Sequence, residues 1–341
     1  MTAAEPRSAA RRLLAKADLF LVGMIATVVL ATLLPATGAA VPIAKGASTV
    51  AIALLFFLNG VRLSTAEALR GLRHWRLHTT VVVVSFLVFP MLGLAFQVFV
   101  PWLLSPALYV GVLFLSTLPS TVQSSIAFTS LAGGNVSAAV CAASLSNVLG
   151  VFVSPFLVAL LLSKHAVVSP ENILTLCAQI ILPFVAGQLL RRWLAGWVGR
   201  HPASMRIVDR GSILLVVYSA FSESVVSGIW RELSLLSVLA VILADVLLLA
   251  IVLCLTWFGS GLLRFDRADR IAIMFCGSKK SLTTGVPIAA VQFPGPALGL
   301  TIFPLMLFHQ IQIFVCAVLA RRFAQTTAAD TAPAESAPAS A

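Results

Sequence analysis

Two adjacent lysines inside an apolar stretch are the residues of this chain with the clearest potential for chemistry. Lys279 and Lys280 lie in the sequence IAIMFCGSKKSLTTGVPIAA, residues 271–290. A lysine in the middle of a membrane costs about 2.5–3.5 kcal/mol on insertion scales, and such residues usually have a functional partner. Neighbouring side chains on a helix diverge by about 100°. We therefore expect the two lysines to serve different surfaces.

The lysines are surrounded by residues that favour an interrupted helix. Nine positions separate Lys279 from Arg270, which at 1.5 Å per residue is about half the thickness of a membrane. Two placements stay open: beside a helix break near the middle of the membrane, or in an interfacial loop with both lysines in water. The small and hydroxylated neighbours are Gly277, Ser278, Ser281, Thr283, Thr284 and Gly285.

A second interruption is predicted around Pro119, in LFLSTLPSTVQSSIAF, residues 113–128. Proline cannot donate to the carbonyl of Leu115, and its ring clashes with that turn. Ser120 and Gln123 have capping-box spacing, so a second half-helix is expected to begin at Ser120. The alternative is an ordinary proline kink healed by hydroxyl groups. The surrounding polar residues are Ser116, Thr117, Ser120, Thr121, Gln123, Ser124 and Ser125.

Two half-helices that meet inside a membrane create a site for charge. The helix starts near Ser120 and Ser281 would attract an anion, while the preceding carbonyls attract cations. A lysine adds positive charge, so the simplest cargo is a small or amphipathic organic anion. The candidate binding residues are Thr117, Pro119, Ser120, Gln123, Ser124, Ser125, Asn147, Gly277, Ser278, Lys279, Lys280, Ser281 and Thr284.

Other polar residues give weaker signals. Glu223 and Asp245 lie within apolar runs, where each could titrate, pair with a lysine or face an aqueous vestibule. Asn147 could bridge helices or line the site. The remaining intramembrane polar residues are interpreted as packing groups, namely Asn59, His309, Gln310 and Gln312.

The composition places these residues in a membrane protein. Of 341 residues, 60% are hydrophobic and 10% charged, and the mean hydropathy is +1.03. A soluble domain carries roughly 25% charged residues. The net charge of +11 does not indicate nucleic-acid binding, because the arginines form short clusters between apolar runs. None of the five cysteines forms a CxxC pair, so we expect neither a metal nor a disulfide framework, and no cofactor.

Runs of about 20 apolar residues predict an all-α polytopic fold with ten membrane spans. The first run has no clear cleavage site and is taken as a retained helix. The runs lie near residues 18–38, 46–63, 79–100, 106–132, 135–162, 171–195, 206–228, 233–262, 268–292 and 295–320.

The distribution of basic residues supports this count. With the N-terminus in the cytoplasm, 18 of the 23 Lys and Arg residues fall in cytoplasmic segments. Only Lys45, Lys164 and Arg231 fall outside, and Lys279 and Lys280 lie within the ninth run. This asymmetry indicates a multi-pass protein of the cell (inner) membrane with both termini cytoplasmic.

Ten spans suggest two five-helix halves with inverted topology, because an odd-numbered unit that repeats must insert upside down. The fourth and ninth runs, one in each half, then carry the polar interruptions, which we expect to meet near the midplane. The predicted organisation comprises a basic N-terminus (1–17), a first repeat (18–162), a linker (163–170), a second repeat (171–322) and a disordered tail (323–341). A homodimer is left open.

Over residues 18–322 the chain resembles the bile acid:sodium symporter (SBF) superfamily, in particular its divergent SBF-like branch. The resemblance rests on the ten-span pattern and on three stretches: SSIAFTSLAGGNVSAA, ASLSNVLGVFVSP and CGSKKSLTTGVP. It implies inverted repeats with crossed, unwound fourth and ninth helices. It also implies a core domain that moves against a panel domain, with sodium ions bound near the crossing.

The sodium ligands implied by the resemblance are mostly missing from this chain. The family's Ser-Asn pair falls on Ser125 and Ile126, and its Ser and Thr on the fifth helix fall on Ala139 and Ala143. Its Glu-x-x-x-Gln runs from Cys276 to Lys280, so a lysine takes the glutamine position. We hypothesise that a Lys279 or Lys280 ammonium replaces the bound cation. Burial could also let such a lysine exchange a proton.

The predicted function is a secondary active transporter of organic anions, and the coupling ion, sodium or proton, stays open. A membrane regulator of ion homeostasis without net transport is the alternative. A membrane-embedded enzyme is disfavoured, because the chain has no HExxH, no GxSxG and no paired aspartates. An arsenite-type exporter would require a cysteine at the fourth-helix break, where this chain has Ser and Thr.

Overall fold

The computed structural model describes residues 20, 22–62, 74–162, 177–228 and 234–331. The predicted basic N-terminus (1–17) and linker (163–170) lie outside these residues, as does the end of the predicted tail. Every regular element of the described chain is helical.

Twelve helical segments carry the fold of the described residues. One of them departs from α geometry in part: α3 includes a π-helical segment at Val84–Val88 and ends in a 3₁₀ turn. A separate π turn at Cys177–Ile181 precedes α7. The segments are α1 (Val22–Leu33), α2 (Ala40–Arg62), α3 (Trp75–Phe99), α4 (Pro106–Ser116), α5 (Val122–Leu131), α6 (Val136–Leu162), α7 (Leu182–Arg200), α8 (Pro202–Val226), α9 (Leu235–Leu262), α10 (Arg267–Gly277), α11 (Leu282–Gln292) and α12 (Ala297–Thr331).

Five of these helices, α2, α3, α6, α9 and α12, are long and apolar enough to cross a membrane. Their outer faces remain apolar. On α9, for example, Leu236, Leu239, Leu243 and Leu247 are all exposed and recur at helical spacing. An apolar surface of this extent is stable in lipid and not in water. The prediction of a helical membrane protein is confirmed.

Two helices are longer than predicted. Helix α2 begins at Ala40, so Lys45 lies within it; Pro42 falls in the first turn, where a missing N–H breaks no helical hydrogen bond. Helix α12 continues past Phe323, where we predicted a disordered tail, as far as Thr331. Arg267 donates a 2.6 Å hydrogen bond to the Thr326 hydroxyl and ties this extension to α10.

The helices pack as two groups. In the first, α2 packs against α7 and α8. Gly60 and Gly187 sit at this contact, and a Cβ on either would collide with a carbonyl oxygen of the opposite helix, from Phe184 or Phe57. In the second group, α4 packs against α12, and α5 packs against α6 and α10. The two groups meet where α8 contacts α11 and α12.

Candidate functional site

The first interruption separates α4 from α5. Helix α4 ends at Ser116 and α5 begins at Val122, so residues 117–121 are not helical. The prediction that the half-helix begins at Ser120 is wrong by one position, because Thr121 is the N-cap residue. Ser120 has other partners: its backbone N–H donates to Ser146 Oγ at 3.1 Å, and its hydroxyl lies 3.3 Å from that of Ser125.

The second interruption separates α10 from α11 and contains both lysines. Helix α10 ends at Gly277, and Ser281 is the N-cap of α11, with its hydroxyl accepting from the Thr284 N–H at 3.2 Å. Serine is among the best N-cap residues, because its oxygen satisfies one of the free N–H groups of the first turn. The predicted helix start near Ser281 agrees with this geometry.

The two interruptions contact one another directly. The Ser281 N–H donates to the Pro119 carbonyl at 2.9 Å, and the Thr121 hydroxyl donates to the Lys280 carbonyl at 3.1 Å. Ser125 also donates its hydroxyl to the carbonyl of Phe275, at the end of α10. The breaks therefore form one hydrogen-bonded unit.

Each carbonyl from Leu113 to Pro119 has a hydrogen-bond donor. The helix supplies only some of these donors, because Pro119 has no N–H. Ser154, on α6, donates to the Thr117 carbonyl at 2.7 Å, and Lys280 donates to the carbonyls of Ser116 and Leu118. Irregular backbone in a membrane protein is stable only when its polar groups are satisfied in this way. The remaining donors are Ser116 Oγ, Thr117 N and Oγ1, Leu118 N and Ser281 N.

Lys280 Nζ is enclosed by three backbone carbonyl oxygens. It lies 2.9 Å from Ser85 O, 2.8 Å from Ser116 O and 2.7 Å from Leu118 O. Carbonyls only accept, so three such bonds need three N–H protons and the geometry is that of the charged ammonium. The ring of Phe89 lies 4.0 Å from the nitrogen and adds a cation–π contact. The side chain is completely buried.

The Ser85 carbonyl is available because of the π-helical segment in α3. Within this segment Phe89 N–H bonds to the Val84 carbonyl, five residues earlier. The next bond of that pattern would join Ser85 O to residue 90, which is proline and has no N–H. π-Helical segments often occur at functional sites. Here the segment turns a helical carbonyl into a ligand for an ammonium group.

Lys279 has a different environment. It is also completely buried, and its Nζ has no hydrogen-bond partner among the described residues. The nitrogen lies 3.9 Å from the Phe128 ring centroid, within the range of a cation–π contact. Neither lysine pairs with a carboxylate of the described residues. The two adjacent ammonium groups thus contact different surfaces.

Gln312 on α12 forms hydrogen bonds with both backbone groups of Lys280. Its Oε1 accepts from the Lys280 N–H at 2.9 Å, and its Nε2 donates to the Lys280 carbonyl at 2.8 Å. Nε2 also lies 3.0 Å from Nδ1 of His309, one turn earlier. We interpreted both residues as packing groups from the sequence. The structure places them at the break, which no local pattern indicated.

A cavity of about 380 Å³ lies between the two helix groups. Of the predicted site residues, Gln123, Ser124 and Asn147 line it, and Thr121, Thr283 and His309 line it beside them. Asn147 also accepts a 3.0 Å hydrogen bond from the Thr284 hydroxyl and so links α6 to α11. The remaining predicted residues are buried and do not line the cavity, namely Thr117, Pro119, Ser120, Ser125, Gly277, Ser278, Lys279, Lys280, Ser281 and Thr284.

The two candidate acids have unlike surroundings. Glu223 forms an exposed ion pair with Lys45 at 3.0 Å. Asp245 on α9 is completely buried, and within the described part of the chain neither of its carboxyl oxygens has a hydrogen-bond partner. In the described part of the chain, no group of three or more His, Cys, Asp and Glu side chains could hold a metal ion.

Comparison with known proteins gives consistent matches over nearly the whole chain. A model of the SBF-like CPA transporter family matches residues 18–325. The chain is 49% identical to YfeH of Escherichia coli over 311 residues, covering 91% of this chain and 94% of YfeH. It is 50% identical over 310 residues to an uncharacterized protein of Pseudomonas aeruginosa, covering 90% and 93%. It is 30% identical to sodium/bile acid cotransporter 7 of Mus musculus over 312 residues, covering 89% and 92%.

Proposed function

The chain belongs to the SBF-like CPA transporter family, and we propose that it is a secondary active transporter of small or amphipathic organic anions. The observation that carries this proposal is the cavity between the two helix groups, which ends on the paired helix breaks. A cavity in this position can face one side of the membrane and then the other when the groups move relative to one another.

We further propose ten spans arranged as two inverted five-helix repeats. Taking α4 with α5 as one span, and α10 with α11 as another, the described helices make ten, with the fourth of each five interrupted. The breaks then cross near the membrane midplane. The basic residues favour an inner-membrane orientation with both termini in the cytoplasm.

The Lys280 ammonium takes the place of a coupling cation. Three carbonyl oxygens and an aromatic ring surround it, and carbonyl oxygens are ligands that hard cations use in proteins. Its charge is tethered to the chain and does not dissociate. The carrier therefore needs no sodium at this position in either direction of transport.

The positions that correspond to other sodium ligands support this assignment. Ala139, Ala143 and Cys276 are completely buried in one hydrophobic cluster. No carboxylate or hydroxyl is contributed at these positions. Proton coupling is then the remaining route, with Lys279 and Asp245 as the exchangeable groups, because both are buried and have no hydrogen-bond partner.

The test is counterflow in proteoliposomes. Vesicles are loaded with an unlabelled organic anion, and entry of the labelled anion is followed against protein-free vesicles and against vesicles loaded with a neutral analogue. We expect transient accumulation only when the internal anion is present. If no carboxylate or sulfonate is exchanged, the carrier function is contradicted. The alternative, a membrane regulator of ion homeostasis without net transport, is then the remaining hypothesis.

Coupling is tested in the same vesicles. A pH gradient should drive uptake, whereas replacing external sodium with choline should leave the rate unchanged. Uptake that follows the sodium gradient would show that Lys280 does not replace the cation.

A further inference from the structure

The positive charge of the cavity comes from arginines and not from the lysines. Neither Lys279 nor Lys280 lines the cavity, and both are completely buried. The basic residues that line it are Arg62 on α2 and Arg206 and Arg210 on α8. Both α8 arginines are exposed, as are Gln123 and Thr283 beside the helix breaks. No sequence motif singled out these three arginines.

The arginine end of the cavity carries a net positive charge. Three charged residues lie on one face of α8, because Asp209 follows Arg206 by three positions and Arg210 follows Arg206 by four. Asp209 Oδ2 is paired with Arg62 Nη1 at 2.7 Å. With three arginines and one aspartate among the lining residues, the formal sum is +2, His309 being counted as neutral. The charges of Arg206 and Arg210 are therefore not compensated by this ion pair.

The ion pair does not satisfy all of its own atoms. Arg62 Nη2 and Asp209 Oδ1 are both buried and have no hydrogen-bond partner among the described residues. A buried guanidinium donor without a partner is costly unless a ligand or water supplies an acceptor. Arg210 is held in place from another side, since its guanidinium lies 5.4 Å from the ring of Phe20, which also lines the cavity.

The lining residues that follow the arginines along their helices are mostly apolar. Ile213 lies one turn after Arg210 on α8, and Leu55 lies two turns before Arg62 on α2, with the polar Asn59 between them. Val151 and Phe184 also line the cavity. The far end is neutral and polar, and it includes the Ser124 hydroxyl, which is buried without a partner. The cavity thus presents a cationic end, an apolar middle and a hydrogen-bonding end. Its volume is within the range of sites for small organic ligands.

We propose that Arg206 and Arg210 bind the acidic group of an amphipathic organic anion, whose apolar body points toward the helix breaks. Arginine suits this role because its planar fork donates two parallel hydrogen bonds to a carboxylate or sulfonate. Arg62 pairs with Asp209 and adds to the positive charge of this end of the cavity. The inference rests on the proposed function and adds to it the orientation of the cargo and the residues that select its charge.

The experiment measures equilibrium binding to the full chain in nanodiscs, with empty nanodiscs as the blank. The probes are naphthalene-2-sulfonate and its neutral analogue naphthalene-2-sulfonamide. The double variant Arg206→Gln/Arg210→Gln removes both charges, Arg206→Lys/Arg210→Lys keeps them, and Arg321→Gln is the matched control. Arg321 is an exposed arginine of α12 that does not line the cavity.

We expect wild type and Arg321→Gln to bind the sulfonate with the same affinity. The glutamine double variant should bind it at least about tenfold more weakly, as loss of charge-assisted hydrogen bonds predicts. The lysine double variant should recover part of the affinity, and the sulfonamide should be insensitive to all three changes. If the double variant does not fold, the single variant Arg206→Gln replaces it in the binding assay. It should weaken sulfonate binding severalfold.

Three results would overturn the inference: no saturable sulfonate binding to wild type, unchanged affinity in the glutamine variant, or an equal loss in Arg321→Gln. The binding assay and the counterflow assay separate the two proposals. Arginine-dependent binding without counterflow refutes the transport function and keeps the binding site. Counterflow of anions that is insensitive to Arg206 and Arg210 refutes the binding site and keeps the transport function.

Discussion

The backbone N–H of Ser281 donates a 2.9 Å hydrogen bond to the carbonyl oxygen of Pro119, although 162 positions separate the two residues. Each residue lies in a helix break, and each break supplies what the other lacks. Proline leaves carbonyls without helical donors, and the start of α11 offers an N–H without a helical acceptor. The interrupted helices are therefore stable only as a pair, and the following predictions depend on this pairing.

Replacing Lys280 with methionine should destabilise the protein strongly. The change leaves the carbonyls of Ser85, Ser116 and Leu118 without this donor in a buried site, at about 1–3 kcal/mol for each unsatisfied group. Thermal unfolding in detergent, followed by intrinsic fluorescence, measures the effect. Lys45→Met is the matched control, since it breaks only an exposed ion pair worth about 0–1 kcal/mol. Equal melting temperatures for the two variants would refute the role assigned to Lys280.

Replacing Lys280 with alanine should make stability depend on sodium. The shorter side chain leaves a space lined by the same three carbonyl oxygens, which can hold a small cation. The melting temperature of Lys280→Ala should rise with sodium chloride and not with choline chloride at equal ionic strength. The wild type should respond equally to both salts. A sodium-specific response in the wild type would instead indicate a cation site that the lysine does not occupy.

Replacing Gln312 with leucine should lower both stability and transport. The variant loses two hydrogen bonds to the Lys280 peptide, each worth about 0.5–1.5 kcal/mol. The neighbouring Gln310→Leu is the control for stability only, because Gln310 is not one of the partners of Lys280 but does line the cavity. Unfolding in urea together with counterflow rates compares the two variants. If Gln310→Leu lowers the free energy of unfolding more than Gln312→Leu does, the two hydrogen bonds from Gln312 to Lys280 are not important for stability.

Asp245→Asn should keep the fold and reduce proton-driven uptake. The carboxyl group is completely buried and unpartnered, so its removal breaks no hydrogen bond of the described residues. A buried carboxyl without a partner is costly, which favours a functional reason for its presence. Glu223→Gln is the matched change in an exposed ion pair and should leave uptake unchanged. Wild-type uptake by Asp245→Asn under a pH gradient would remove Asp245 from the proton pathway.

Several features of the site were predictable because they depend on local sequence. Pro119 removes a backbone donor wherever the chain is placed, and the hydroxyl residues around it favoured an interruption of the fourth run over a kink. Proline alone does not decide between the two, because Pro155 and Pro304 lie inside continuous helices. The second interruption was predicted from the glycine and hydroxyl residues around Lys279, which are also local features because such residues favour caps and turns over helix interiors. The start of α5 was misplaced by one residue, because the capping-box pattern at Ser120 gave way to a bond from its N–H to Ser146 on another helix.

Other features could not be predicted, because they depend on which helices become neighbours. The Ser85 carbonyl is a ligand of Lys280 only because a π-helical segment 195 positions away is packed beside it. Gln312 and His309 lie in an ordinary helix and reach the break from α12. Arg206 and Arg210 belong to a basic segment whose sequence indicates only a cytoplasmic position. Their place at the cavity depends on the packing of α8.

The sequence alone thus determined the class of protein, the two segments where a helix is weakened and the presence of two lysines among apolar residues. These follow from properties that a residue carries with it: hydrophobicity, a missing N–H and a charge that needs a partner. The tertiary structure decided which partners those groups obtain. It enclosed Lys280 in carbonyl oxygens, left Lys279 against an aromatic ring and brought arginines to the cavity, because hydrogen bonds and charge pairs form between neighbours in space.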